Sequence, residues 1–393
     1  MKTDKLADLS IYIHIPFCKQ KCLYCDFLSA PPKGEQIERY VKALICEIPK
    51  EAVHYQNYQV QTVFIGGGTP SLLTGQQMDI ILQTVLTSFQ MTEQAEISME
   101  CNPGTTTPDS LYGYRSAGIN RLSIGLQSAD DIQLKELGRI HTWQDFLKTY
   151  EDARAAGFQN INVDLMSALP GQTLLSYQNT LHKVVELEPQ HISAYSLIIE
   201  EGTPFYQRYG EDCQTENMQF PMLPEEEVER KMYRQTESIL KQAGYERYEI
   251  SNYAKRGFAC HHNLTYWTGG AYVGFGTGAA SYVEGIRYKN KTQLQEYLKL
   301  IESDGNLREL REEVQVLSCK DKMEEFMFIG LRLIKGVSCK QFYNCFGCKI
   351  EDIYGTVLER LHNERLLSFQ GDRICLTKRG IDISNYVMAE FLL

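Results

Sequence analysis

Short runs of apolar and β-branched residues recur along the first half of the chain, each followed by a stretch with helical periodicity. This alternation narrows the fold more than any other feature of the sequence. Residues 11–15, 62–65, 95–100, 121–125, 161–165 and 192–197 read as strands. Residues 36–51, 76–89, 109–117, 143–156 and 174–187 read as the helices between them, with Gly118, Gly157 and Pro189 as stop signals. A strand can reach a parallel neighbour only through a crossover of a dozen or more residues, which is what each helix supplies. The expected fold is therefore α/β, a parallel sheet curled into a partial or full (β/α) barrel.

Past Leu197 the alternation gives way to a connector, a strongly charged helix around 225–243 and a Gly/Tyr-rich segment at 245–288. A second unit is read from 290 to 393, leaving 1–289 as the barrel with its connector. Helical patterns from Lys322 onward lead to a hairpin-like stretch at 366–376 with Gly371 at its turn. That order matches a winged-helix-like α+β domain of about 100 residues, long enough to fold around its own core. No repeat of fixed period and no low-complexity tract is present.

Forty basic against fifty acidic residues give a formal charge of -10, which opposes nucleic acid as the main partner because phosphate binding needs a basic footprint. No run of about 18 apolar residues occurs, and the first ten residues form a polar lead without a signal peptide's apolar stretch, so the cytoplasm is the expected compartment. In that compartment the twelve cysteines are expected as reduced thiols, some of them ligating a metal, rather than as disulfides.

Directly after the first strand the chain reads IYIHIPFCKQKCLYCDF, with three and then two residues between Cys18, Cys22 and Cys25. Three thiolates on one tight loop can grip three irons of a cubane and leave the fourth open to a chelating cofactor. Structural zinc would need a fourth ligand, and no matching Cys or His pair follows nearby. Cys339, Cys345 and Cys348 also lack a clear fourth partner and read as part of the winged helix.

Function in a parallel barrel gathers at the carboxyl ends of its strands, and the remaining candidates fall there. Gly66-Gly67-Gly68-Thr69-Pro70 follows the second strand, Glu100 ends the third, Gln127 follows the fourth, Asp164 lies near the end of the fifth and Tyr195 lies on the sixth. Bare glycine backbone can approach a charged small molecule, and the carboxylates can accept hydrogen bonds from ammonium or hydroxyl groups. Period two puts Tyr12 and His14 on one face of the first strand, expected at the barrel mouth. Arg139 and His141 read either as an anion clamp or as a surface charge and a helix cap. The stretch CHHNLTYW from Cys260 sets His261, His262, Tyr266 and Trp267 beside glycines, as the border of a flat ligand or as a packed loop.

The motifs IHIPFCKQKCLYCDF, FIGGGTPSLL, MECNPG, RLSIGLQS, LGRIH, INVDLMSALPGQT, AYSLIIEEGTP, HHNLTYW and LTKRGIDISN resemble the radical SAM family of oxygen-independent coproporphyrinogen III oxidases, most closely its heme-chaperone branch. The resemblance covers nearly the whole chain. It implies a radical SAM barrel with a 4Fe-4S cluster on Cys18, Cys22 and Cys25. It further implies a first S-adenosylmethionine at Tyr12, Gly67 and Glu100, and a second at Tyr24, Gly68, Thr69, Gln127, Arg139 and Asp164.

The oxidases carry a further cysteine where this chain has Phe27, and they begin with a longer N-terminal extension. His262-Asn263 and Tyr266-Trp267 match the HNxxYW signature of the chaperone branch. The resemblance therefore implies heme as cargo, acceptor hemoproteins as partners and membrane contact only by way of such acceptors, with His262 as the expected heme ligand, since imidazole ligates heme iron well. Cys260 and His14 are the alternative ligands, and a purely scaffolding role is the alternative reading of His262. Porphyrin biosynthesis, through oxidative decarboxylation of coproporphyrinogen III, is the competing function. A radical SAM enzyme modifying RNA is a third, disfavoured by the acidic charge.

Overall fold

The computed structural model describes residues 6–210 and 220–393. The first five residues of the polar lead and part of the connector lie outside the described residues. The six expected strands are β1 (Ala7–Ile15), β2 (Tyr58–Gly67), β3 (Met91–Cys101), β4 (Arg121–Gln127), β5 (Asn160–Ser167) and β6 (His191–Ser196). The helices over the same stretch are α1 (Gln36–Ala52), α2 (Gly75–Ser88), α3 (Pro108–Ala117), α4 (Asp131–Glu136), α5 (Trp143–Ala155) and α6 (Leu174–Glu186), followed by α7 (Pro204–Tyr209) and α8 (Glu226–Gln242). Thr74, Thr107, Thr142 and Thr173 start α2, α3, α5 and α6, each side chain accepting a hydrogen bond from the backbone N–H three residues on. Such caps are worth about 1 kcal/mol apiece and fix where each crossover begins.

The Gly/Tyr-rich segment folds as β7 (Glu246–Arg247), β8 (Asn252–Ala254), α9 (His261–Trp267), β9 (Tyr272–Phe275), β10 (Ala280–Val283) and β11 (Ile286–Asn290), and α10 (Leu294–Glu302) and β12 (Arg311–Val316) follow. All twelve strands form one sheet in the order β12-β11-β10-β9-β1-β2-β3-β4-β5-β6-β8-β7. Strands β1 to β6 run parallel in sequence order, β9 joins β1 in parallel, and β8 closes on β6 antiparallel. Among the described residues the edge strands β12 and β7 do not pair with each other, so the barrel is partial.

Alternation along the strands divides the barrel into two chemically different layers. Ile11, Ile13, Val63, Ile65, Met99, Leu122, Ile124, Ile161, Val163 and Ile192 pack outward with the helices in one apolar core. Each such side chain, fully buried, contributes roughly 1.5 to 3 kcal/mol. The intervening positions carry Ser10, Thr62, Ser98, Arg121, Ser123, Asn162 and His191, all buried and polar, and these face the barrel interior. A polar interior cannot be the hydrophobic core, and several of these side chains line a cavity instead.

Residues 290–316, read from sequence as the opening of the second unit, add β12 to the large sheet and α10 beside it, and Tyr297, Leu298, Ile301 and Leu310 lie in the barrel core. We place the boundary near Ser318, the N-cap of α11 (Cys319–Gly330). Then come β13 (Val337–Ser338), α12 (Cys339–Phe346), α13 (Ile350–Asn363), β14 (Leu367–Gln370), β15 (Arg373–Leu376), α14 (Lys378–Asp382) and α15 (Ser384–Ala389). Helix, strand, two helices and a hairpin is winged-helix order. The three strands form their own antiparallel sheet, β13-β15-β14, over a separate core around Met327, Phe342, Tyr354 and Leu361. Among the described residues no helix is long and apolar enough to cross a membrane.

Candidate functional site

The cysteine loop leaves β1 and is pinned by backbone on several sides. Gly68 N–H donates to Ile15 O at 2.8 Å, Thr69 N–H to Phe17 O at 2.7 Å, Cys18 N–H to Ala30 O at 3.1 Å and Leu23 N–H to Leu137 O at 3.0 Å. A Cβ at Gly68 would stand 2.5 Å from Phe17 O and 2.8 Å from Ile15 O, so only glycine lets the β2 loop seat against the cysteine loop. Gly67 has φ +108° with the His14 ring in the place of its missing side chain.

These loops wall a cavity of about 340 Å³ that runs into the barrel from the carboxyl ends of the strands. Cys18, Cys22, Tyr24, Cys25, Gly67, Gly68, Thr69, Glu100, Gln127, Arg139 and Asp164 all line it. Cys18, Cys22 and Cys25 are free thiols, with Cys18 Sγ 3.2 Å from Thr69 Oγ1 and Cys22 Sγ 3.7 Å from Arg139 Nη1. Burial pushes the Cys25 thiol up to about 11. Three soft donors on one wall of a cavity fit an iron–sulfur cluster. Among the described residues, no three His, Cys, Asp or Glu side chains gather as a single-ion site.

The opposite wall carries both signs of charge. Glu100 accepts from Gly67 N–H at 2.9 Å, and burial, with Asp164 adding to it, pushes its carboxyl up to about 7. Asp164 accepts from Ser123 Oγ at 3.1 Å and Asn162 Nδ2 at 2.8 Å, and burial raises its pKa too. Arg139 donates to Asn102 Oδ1 at 2.8 Å and Gly125 O at 2.5 Å, which makes it a half-buried cation of the cavity wall rather than a surface charge. His141, beside it in the lining, donates from Nε2 to Leu126 O at 3.3 Å, and burial holds it neutral with a pKa of about 3. Gln127 sits at φ +72°, a conformation costly for a residue with a side chain, and accepts from Tyr195 OH at 3.2 Å. Carboxylates facing guanidinium groups suit a zwitterionic ligand.

Two expected site residues lie outside the lining. Tyr12 packs beside Phe64, which does line the cavity, and its OH lies 3.0 Å from His14 Nδ1. His14 Nε2 in turn reaches Leu28 O at 2.8 Å. His262 is 1% exposed, with Nδ1 2.7 Å from Thr62 Oγ1, Nε2 2.9 Å from Tyr266 OH, and its ring stacked on Phe64. Both ring nitrogens are engaged in the barrel floor, so in this arrangement neither is free for heme iron. Cys260, a stated alternative, is fully buried with Sγ 3.5 Å from Glu96. Cys345 is exposed, whereas Cys339 and Cys348 pack against the winged-helix core.

The sequence reading passed over Asn102, Arg121, Ser123, Asn162, Ser193 and Asn252, which also line the cavity. Their signal was the polar residue at every second position, as in Arg121-x-Ser123 and Asn162-x-Asp164, which apolar-run reading discards.

Residues 12–184 match the model of the radical SAM superfamily, and 317–383 match the HemN C-terminal domain. Among solved structures the chain resembles that titled as coproporphyrinogen III oxidase (HemN) from Escherichia coli, a radical SAM enzyme. The TM-score is 0.85 at 23% identity over 100% of this chain and 91% of that one, a likeness of fold. Proteins named heme chaperone HemW are similar along nearly their whole lengths. That of Lactococcus lactis is 37% identical over 98% of this chain and 97% of its own, that of Bacillus subtilis 36% over 98% and 99%, and that of Escherichia coli 36% over 99% and 99%. The chain belongs to the HemW family of the radical SAM superfamily.

Proposed function

We propose that this chain is a heme chaperone that binds heme and passes it to acceptor hemoproteins. In this reading a 4Fe-4S cluster sits on Cys18, Cys22 and Cys25, with S-adenosylmethionine in the cavity beside it. The observation that carries it is the similarity, at 36 to 37% identity and almost end to end, to relatives named heme chaperones. When bound, the cluster would supply a chelation point for the amino and carboxylate groups of the first cofactor molecule. Gly67 and Glu100 are assigned to the first S-adenosylmethionine, with Tyr12 behind Phe64. Tyr24, Gly68, Thr69, Gln127, Arg139 and Asp164 are assigned to the second. Heme is the cargo, and its ligand is sought outside the engaged nitrogens of His262.

The test mixes heme-loaded protein, with and without its cluster, with an apo-hemoprotein acceptor, and follows the acceptor's Soret band. Transfer that depends on the cluster is the expected result. Absence of transfer, together with decarboxylation of coproporphyrinogen III in an anaerobic incubation with S-adenosylmethionine, would instead assign the chain to porphyrin biosynthesis.

A further inference from the structure

The deepest charged group in the cavity is used by nothing described so far. Arg121 opens β4, where it lies beside Ser98 of β3 and Asn160 of β5, at the end of the barrel away from the cysteine loop. It is 1% exposed yet belongs to the cavity lining, with Ser123, Asn162 and Ser193 around it. Among the described residues it forms no ion pair, and its Nε donor has no hydrogen-bond partner. Cys260, Glu96, Tyr248 and Asp164 act on it through space without a salt bridge, and both carboxylates are engaged elsewhere. Glu96 accepts from the backbone N–H groups of His261 and His262 at 3.1 and 3.2 Å, and Asp164 accepts from Ser123 and Asn162.

A buried guanidinium without a close counter-ion is costly to the folded state, and its planar fork of donors matches a carboxylate or a phosphate, of which the ligands proposed for this cavity carry only carboxylates. We infer that Arg121 forms a carboxylate-accepting subsite at the closed end of the barrel cavity, with Ser123 and Asn162 as flanking polar groups. This rests on the reading of the cavity as the ligand site. The carboxylate has two sources of the same chemistry, a porphyrin propionate and the methionyl carboxylate of the second S-adenosylmethionine, the one that the cluster does not chelate.

The test uses wild type, Arg121→Lys and Arg121→Gln, each cluster-loaded, and measures binding of two matched pairs of probes. These are hemin against its dimethyl ester, and S-adenosylmethionine against its decarboxylated form. For one of the acids, Arg121→Gln should weaken binding roughly tenfold to a hundredfold, the range for a charge-assisted hydrogen bond. Arg121→Lys should fall between, and the matching ester or decarboxylated probe should bind all three proteins alike. Which pair responds identifies the source. Without ligand, the Gln variant should melt no lower than wild type, because an isolated buried charge has been removed. Equal loss for acid and neutral probe, or no loss for either acid, overturns the inference, as does a lower melting point with unchanged binding. If Arg121→Gln does not fold, the Lys variant and the probe pairs on wild type give the same decision. Wild type that binds neither acid overturns the cavity reading itself, and this subsite with it.

Discussion

The carboxyl of Glu100 lies against Gly67 N–H in a site that holds its pKa near 7, above the ordinary 4.5. A carboxylic acid raised on folding keeps its proton longer in the folded chain. The stability it leaves to the fold is therefore highest below pH 4.5, declines as pH rises toward 7, and is lowest above. Above pH 7 the burial costs the fold about 3 kcal/mol. Glu100→Gln should thus be more stable than wild type to urea at pH 8, with the gap closing by pH 5. A gap that widens on acidification would contradict the assignment. The same variant should bind S-adenosylmethionine more weakly by roughly 1.5 to 3 kcal/mol, since a charge-assisted bond is lost, and calorimetry that finds equal affinity removes Glu100 from the site. His262 predicts the opposite pattern. His262→Ala strands Thr62 and Tyr266 and vacates the face of Phe64, so it should cost roughly 2 to 4 kcal/mol of stability while leaving the Soret spectrum of the folded, heme-loaded protein unaltered. A shifted Soret band at unchanged stability would restore it as a ligand. The HNLTYW motif marks the family from sequence, but its spacing carries no information about which partners the imidazole finds once α9 lies across the barrel floor.

Among the elements, the six βα units were legible because each strand's outward face is apolar and each helix carries a clear period. The edges were not. Strands β9 to β12 are short, rich in Gly, Tyr and charge, and held by side chains distant in sequence, so no local pattern announces them. Glu47 of α1 is the main such tie. It accepts from Gly276 N–H at 2.9 Å, Asn290 Nδ2 at 2.7 Å and Tyr297 OH at 2.7 Å, joining α10 and the β9–β11 edge to the barrel. From sequence it is one more charged residue on a helix, which is why 290–316 reads as belonging to the second unit. Glu47→Ala leaves three buried donors unmatched and should cost about 3 kcal/mol or more, with hydrogen exchange speeding up in β9, β11 and α10 before the rest of the sheet. Uniform loss of protection across β1 to β6 would show that the edge is not a separate tie.

One asymmetry organises the whole molecule. The barrel's outer layer is apolar and its interior is polar, so the chain folds around a cavity whose contents are decided by the residues at its mouth. The sequence shows the cysteine loop at that mouth by spacing alone, whereas the depth of the cavity and the charge at its floor follow only from the sheet's register. The most direct measurement is iron and acid-labile sulfide per chain after anaerobic reconstitution, on wild type, on the triple variant Cys18→Ala, Cys22→Ala, Cys25→Ala, and on Cys345→Ala, Cys348→Ala. About four irons and four sulfides are expected in wild type and in the winged-helix variant, and none in the triple variant. Stoichiometric iron and sulfide retained without Cys18, Cys22 and Cys25 would contradict this expectation.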